Sequence, residues 1–212
     1  MTDLPFEAVV VPTGDARLPG DLTVAGDRTA VVVFAHGSGS SRLSPRNRWV
    51  AGKLQERGLG TLLFDLLTPE EASDRSLVFD IELLARRLSG AVSWLEGHLG
   101  ADARFGLFGA STGAGAALWA AGAGVLARAV VSRGGRPDLA GPHLASVHVP
   151  TLFVVGGADP VVLDLNREAQ ARLAGPSELA VIPGAGHLFE EPGALERVAE
   201  LTGDWFERHL SA

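Results

Sequence analysis

Ser111 lies in Gly109-Ala110-Ser111-Thr112-Gly113, a G-x-S-x-G pattern in which small residues flank a hydroxyl. Such a pattern suits a turn so tight that bulky neighbours would collide with the adjoining strand and helix. The strained serine would then present its Oγ at a helix N-terminus, where free N–H groups and the macrodipole favour developing negative charge. A serine hydroxyl is a weak nucleophile until a base takes its proton, so the pattern calls for a histidine and an acid to orient it.

Six histidines are available, and His187 in "VIPGAGHLFEEPG" is the best placed, in a loop after the last apolar run. His98, His143, His148 and His209 fall in or beside helices or just before a strand. Asp159 in "TLFVVGGADPVV" follows the preceding run, ahead of Pro160, where it could equally cap a helix. Asp138 and Asp65 are the other acids after strand-like runs. The oxyanion of an acyl-transfer intermediate would need backbone donors, and "FAHGSGSS" provides a glycine-rich loop for them. The expected pair is the N–H of Ser38 and the N–H of Thr112, with His36 a structural hydrogen-bonder beneath the loop. Arg42, Arg46, Arg133 and Arg136 lie on the presumed active face. Their guanidinium groups would suit an anionic substrate group, although salt bridges within the protein would explain them as well.

The elements that would hold these residues are short apolar runs alternating with amphipathic ones. Strands are expected at Phe6 to Val11, Asp21 to Val24, Ala30 to Ala35, Thr61 to Phe64, Arg104 to Phe108, Ala129 to Ser132, Thr151 to Val155 and Leu179 to Ile182. Most are continuous in Val, Leu and Phe, as befits strands buried on both faces of a mainly parallel sheet. The first two, separated by "PTGDARLPG", are expected to pair antiparallel at one edge. Ser44-Pro45 reads as the start of a helix through Trp49, Val50 and Leu54. Leu77 to Leu99 reads as one helix, with Phe79 on its apolar face and Asp80, Glu82, Arg86 and Arg87 outward. Leu195, Val198, Leu201, Trp205 and Phe206 mark the last helix. The pattern is that of an α/β fold with helices on both faces of the sheet. Phe105 to Ala127 carries no charge and approaches membrane length, but its six glycines and central Ser111 favour strand, turn and helix over a span.

Taken as a whole, 212 residues with a net charge of -7 and 46% hydrophobic residues suit one domain over 1–212 with a substantial core. The charge excludes a nucleic-acid partner held by a basic run. Without cysteine there is no disulfide framework, thiolate nucleophile or cysteine-ligated zinc. The opening "MTDLPFEAVVVP", with Asp3 and Glu7, lacks a signal peptide's basic and apolar regions, so a soluble cytoplasmic protein is expected, with no membrane partner. No metal or organic cofactor is implied. Gly122, Gly124 and Ala127 match G-x-G-x-x-A, but within or at the end of a helix, so they predict no dinucleotide site.

The order Ser, Asp, His resembles the α/β-hydrolase superfamily, and "HGSGSSRLSPRN", "GASTGAG", "SRGGRPDLA", "GGADPVV" and "GAGHLFEEPG" resemble its small dienelactone-hydrolase-like branch along nearly the whole chain. That resemblance implies an eight-stranded, mostly parallel sheet and the roles of nucleophile, acid and base for Ser111, Asp159 and His187. It departs at one point: dienelactone hydrolases proper use a cysteine nucleophile, so this is a serine variant and dienelactone itself is a doubtful substrate. Only "RGGRPDLAGPHLASVHV" separates the sixth strand from the seventh, which excludes a large lid and leaves "LLTPEEASDRS" as the flap. The expected activity is hydrolysis of a small carboxylic ester or related acyl compound through an acyl-enzyme. A thioesterase or acyltransferase with the same triad and a non-catalytic scaffold are the alternatives, and a monomer or small homo-oligomer is compatible with all three.

Overall fold

A computed structural model describes residues 6–24 and 30–211. Asp3, in the opening stretch, lies outside the described residues. Eight strands form one sheet in the order β1-β2-β4-β3-β5-β6-β7-β8. They are β1 (Glu7–Pro12), β2 (Arg17–Thr23), β3 (Ala30–Ala35), β4 (Gly60–Phe64), β5 (Arg104–Ala110), β6 (Ala129–Arg133), β7 (Thr151–Gly156) and β8 (Ser177–Ile182). β1 and β2 run antiparallel to their neighbours, and β3 to β8 are parallel. The helices are α1 (Pro45–Glu56), α2 (Arg75–Val78), α3 (Ile81–Leu99), α4 (Thr112–Gly122), α5 (Pro160–Gln170) and α6 (Ala194–Leu210).

The central strand β3 shows why continuous apolar runs were needed. Successive side chains point to opposite faces of a sheet; Val31, Val33 and Ala35 pack with Leu84, Leu88 and Leu118 of α3 and α4, whereas Val32 and Phe34 pack with Val50, Leu54 and Phe206 of α1 and α6. Both faces are therefore core. The carboxyl ends of the parallel strands emerge along one edge of that core, and their loops carry the functional side chains.

Differences from the sequence reading are local. β2 begins at Arg17 and includes Pro19 and Gly20, since the reversal is confined to a turn closed by Thr13 N–H donating to Ala16 O at 2.9 Å. The helix expected from Leu77 is broken at Phe79-Asp80: Asp80 caps α3 by accepting from Leu83 N–H at 2.9 Å, and Phe79 is exposed. Arg87, expected outward, is buried. Its Nη2 donates to Glu71 at 2.9 Å and reaches Asp15 at 3.4 Å, so a charge on the core-facing side of α3 is held by two acids from other segments. Phe105 to Ala127 divides at Ser111 into β5 and α4, and among the described residues no helix is long and apolar enough to cross a membrane.

Candidate active site

β5 passes into α4 through a single residue. Ser111 has φ 52° and ψ −120°, a left-handed conformation costly for a residue with a side chain. A Cβ at Gly109 would meet the Ala114 backbone, and one at Gly113 would meet the carbonyl oxygens of Ala35 and His36. The two glycines thus allow α4 to start directly against β5 and β3. Ser111 is also tied to the end of β6 and the loop after it: its N–H donates to Arg133 O at 3.2 Å and its carbonyl accepts from Arg136 N–H at 3.0 Å.

Asp159 fills both positions its sequence context allowed. Oδ1 accepts from Val162 N–H at 3.4 Å, capping α5, and Oδ2 accepts from His187 Nδ1–H at 2.8 Å. With Nδ1 as donor, the Nε2 of a neutral ring is left as an acceptor. Asp65 and Asp138 are engaged elsewhere, by Arg42 and Arg136. His187 and Ser111 line one cavity of about 270 Å³. Ser111 Oγ makes no hydrogen bond to a described side chain, a common state for such a pair before substrate tightens it. The His187 loop is held by Ala158 N–H to Ala185 O, 2.9 Å, and by Gly186 N–H to Glu191 Oε1, 2.9 Å. It then turns through buried Phe189, which has φ 55°. Nothing in the residue types of Glu191 and Phe189 marks them, and only the glycines around them hint at a constrained turn.

The expected oxyanion donors are differently disposed. Thr112 is the first residue of α4, so its N–H has no acceptor within the helix. The Ser38 N–H instead donates to Thr112 Oγ1 at 2.7 Å. His36 is placed as expected beneath the loop: its Nδ1–H donates to Gly37 O and its Nε2 accepts from Leu66 N–H, each at 3.0 Å. Burial holds its pKa below the ordinary imidazole value, so the ring is neutral.

The four arginines separate into two kinds. Arg42 donates through Nη1 to Asp65 at 2.6 Å and lies 3.6 Å from Asp21. Arg136 makes two bonds to Asp138, at 2.9 and 2.7 Å, which raise its pKa. Neither lines the Ser111 cavity. Arg46 and Arg133 do. Arg46 reaches Glu190 at 3.2 Å on the exposed rim. Arg133 is 7% exposed and has no carboxylate partner among the described residues; its Nε and Nη1 are buried without a hydrogen bond, and the guanidinium lies 5.9 Å from the Phe189 ring centre. Desolvation, with repulsion from Arg46 second, pushes its pKa down to about 10, which leaves it charged at neutral pH.

The acidic segment after β4 folds into a strap over a second cavity of about 330 Å³, lined by Leu67, Ala72, Val78 and Leu84 and sharing Gly37, Ser38 and Ser40 with the first. Glu71, on this strap, is the residue that buried Arg87 holds. Between β6 and β7 there is only a 3-10 segment, Pro137–Ser146, so no large lid covers the site.

A dienelactone hydrolase from Anabaena variabilis is 50% identical to this chain and superposes with a TM-score of 0.93, covering 99% of this chain and 100% of that one. This chain belongs to the dienelactone hydrolase family. It is an α/β-hydrolase of that family with serine at the elbow and no cysteine in the chain. Est1E from Butyrivibrio proteoclasticus shares the fold at 13% identity, with a TM-score of 0.82 over 97% of this chain and 99% of its own. A protein of Mycobacterium tuberculosis named "Putative phosphoribosyl transferase" is 59% identical over 206 residues, which are 96% of this chain and 46% of that protein. The chain thus spans about half the length of that mycobacterial relative. An uncharacterized protein of the same organism is 31% identical over 84% of this chain and 71% of its own length. No protein-family model matches the chain.

Proposed function

We propose that this family member is a serine hydrolase that cleaves a small carboxylic ester or related acyl compound. The observation that carries the reading is the 2.8 Å bond from His187 Nδ1–H to Asp159 Oδ2, made by a histidine on the same cavity as a serine in a strained, left-handed elbow. The strained turn sets the Ser111 side chain on the cavity, and the imidazole is oriented with its free nitrogen available to a hydroxyl proton. In the first half-reaction His187 Nε2 takes the Ser111 proton as Oγ attacks the acyl carbon, and the resulting imidazolium, steadied by Asp159, returns the proton to the leaving alkoxide. In the second, His187 takes a proton from water, the water oxygen attacks the acyl carbon, and the acid departs as the proton goes back to Ser111.

The Thr112 N–H is the first oxyanion donor. The Ser38 N–H becomes the second when the Thr112 hydroxyl turns away from it, so the oxyanion replaces a neutral acceptor with a charged one. We assign the transferase named for the longer mycobacterial relatives to the part of those proteins that this chain does not match. The deciding experiment is labelling by a fluorophosphonate, with Ser111→Ala and His187→Ala as controls, beside turnover of short-chain nitrophenyl esters. Folded protein that neither labels at Ser111 nor turns over an ester would end this reading.

A further inference from the structure

The cavity under the strap, about 330 Å³, takes no part in the proton transfers of Ser111 and His187. Leu66, Leu67 and Leu84 on its walls are buried, and Val78 of α2 packs against the same core. Its polar walls are already engaged within the protein. Asp65 accepts from Arg42 N–H at 2.7 Å and from Arg42 Nη1 at 2.6 Å, and both His36 nitrogens are bonded. Thr68 exchanges two bonds with Glu71, at 2.8 and 3.3 Å. Among the described residues, no side chain lining this cavity has a buried polar atom left without a partner, whereas Arg46, Asn47 and Arg133 in the Ser111 cavity all do. A cavity whose polar groups are satisfied from within rewards apolar surface and penalises an incoming charge, so its ligand is apolar and uncharged.

Position ties this cavity to the reacting serine. Gly37, Ser38 and Ser40 wall both cavities, so the loop that carries them is the ridge between the two. The ridge is low, since Gly37 and Gly39 carry no side chain, and it is close: a Cβ at Gly37 would stand 3.2 Å from that of Ser111. The two arms of an ester are also not equivalent here. The leaving oxygen must receive its proton from His187 Nε2, and His187 and Leu188 line the Ser111 cavity but not the strap cavity. The carbonyl oxygen faces the Ser38 and Thr112 N–H groups, which leaves the acyl arm to cross the ridge. A dry cavity of about 150 Å³ holds benzene. The strap cavity has roughly twice that space, enough for an extended alkyl chain or a fused aromatic ring.

We propose that the strap cavity binds the apolar acyl arm of the substrate, a medium-length alkyl chain or an aromatic ring, while the ester carbon lies over Ser111 on the other side of the Gly37–Ser40 loop. The proposal rests on the hydrolase reading for the bond that is cleaved, but occupancy of the cavity is measurable without turnover. Contacts made by an arm remote from the reacting atoms persist in the transition state, so each methylene buried there raises kcat/KM by roughly four-fold.

Nitrophenyl acetate, butyrate, hexanoate and octanoate test it. In wild-type protein kcat/KM is expected to rise along the series until the cavity is full, with the best ester at least about ten-fold above the acetate, the gain of two or more buried methylenes. Val78→Phe narrows the cavity and should move the optimum to a shorter chain, lowering the octanoate-to-acetate ratio by about ten-fold. Val78→Ala widens it and should move the optimum the other way. A flat wild-type series, or Val78 variants that leave the optimum in place or move it in one direction, overturns the proposal. A second measurement needs neither turnover nor a folded Val78→Phe. The uncharged fluorophore N-phenyl-1-naphthylamine should bind wild type and Ser111→Ala alike, and octanamide should displace it at concentrations where acetamide does not. No binding, or equal displacement by both amides, counts against the site. If no ester is turned over but the fluorophore behaves in this way, the hydrolase reading fails and the cavity stands. Turnover with a flat series and no bound fluorophore keeps the hydrolase and removes the cavity.

Discussion

Asp159→Asn separates the two tasks of one carboxylate. Oδ1 caps α5 and Oδ2 orients His187. Asparagine is as good a cap as aspartate, so α5 should survive, and the Tm should move by no more than the equivalent of about 1 kcal/mol. At the other oxygen the change inverts the chemistry. An amide NH2 facing His187 Nδ1 makes that nitrogen the acceptor, places the proton on Nε2, and removes the lone pair needed for the Ser111 proton. For a serine-histidine-aspartate site this reversal costs about 10⁴ in kcat, or roughly 5.5 kcal/mol of transition-state stabilisation. Asp159→Ala would lose the cap as well, adding about 1 kcal/mol of destabilisation. The assay pairs nitrophenyl butyrate kinetics with thermal melts of wild type and both variants. Asp159→Asn with kcat within ten-fold of wild type would refute the role of Oδ2, and a large fall in its Tm would show that the carboxylate's charge supports the fold as well as the cap does.

Ser111→Gly should abolish esterase turnover yet raise stability by about 1 kcal/mol, because glycine accepts the left-handed backbone without strain; a lower Tm would contradict that account. His36 predicts a pH dependence. Its folded pKa lies below the ordinary 6.5, so on acidification the unfolded chain takes up a proton before the native one does. Its stability contribution is therefore complete above about pH 6.5 and lost as pH falls. Urea melts at pH 5 and 7.5 should differ less for His36→Gln than for wild type; an unchanged difference would place the effect elsewhere, His209 being shifted the same way. Arg87→Met leaves Glu71 without its 2.9 Å partner and should loosen the strap, so tryptic cleavage after Arg75 should accelerate several-fold. Cleavage at the wild-type rate would show that the strap is held by other contacts.

The strands were legible because their signal is redundant: a run such as "AVVVFA" has no alternative to burial on both faces. The elbow was legible because its glycines answer to backbone collisions that any sequence with this turn must avoid. Asp159 and His187 could be found because each follows its own strand and such loops share one edge of the sheet. What failed depended on partners far along the chain. Arg87 looks like any surface arginine until Glu71 and Asp15 arrive from other segments, and Phe79 fits the helical period that Asp80 interrupts by capping the next helix. The arginines near the site are the clearest case. Four identical residue types were indistinguishable in sequence, and only the positions of Asp65, Asp138 and Glu190 separate Arg42, Arg136 and Arg46 from Arg133.

The two peptide hydrogen bonds between Ser111 and the 133–136 loop also bear on how this protein could be re-engineered. Specificity loops are usually thought of as exchangeable parts bolted to a fixed reaction centre. Here the end of β6 holds Ser111 at its N–H and the loop after it holds the Ser111 carbonyl, so grafting a foreign segment in their place would displace the serine oxygen. The strap at 66–79 shares no such bond with Ser111, and the cavity beneath it still reaches the Gly37–Ser40 loop. A designer or a mutational drift seeking new substrates has room to work in the strap, while the arginine loop can change only together with the elbow it supports.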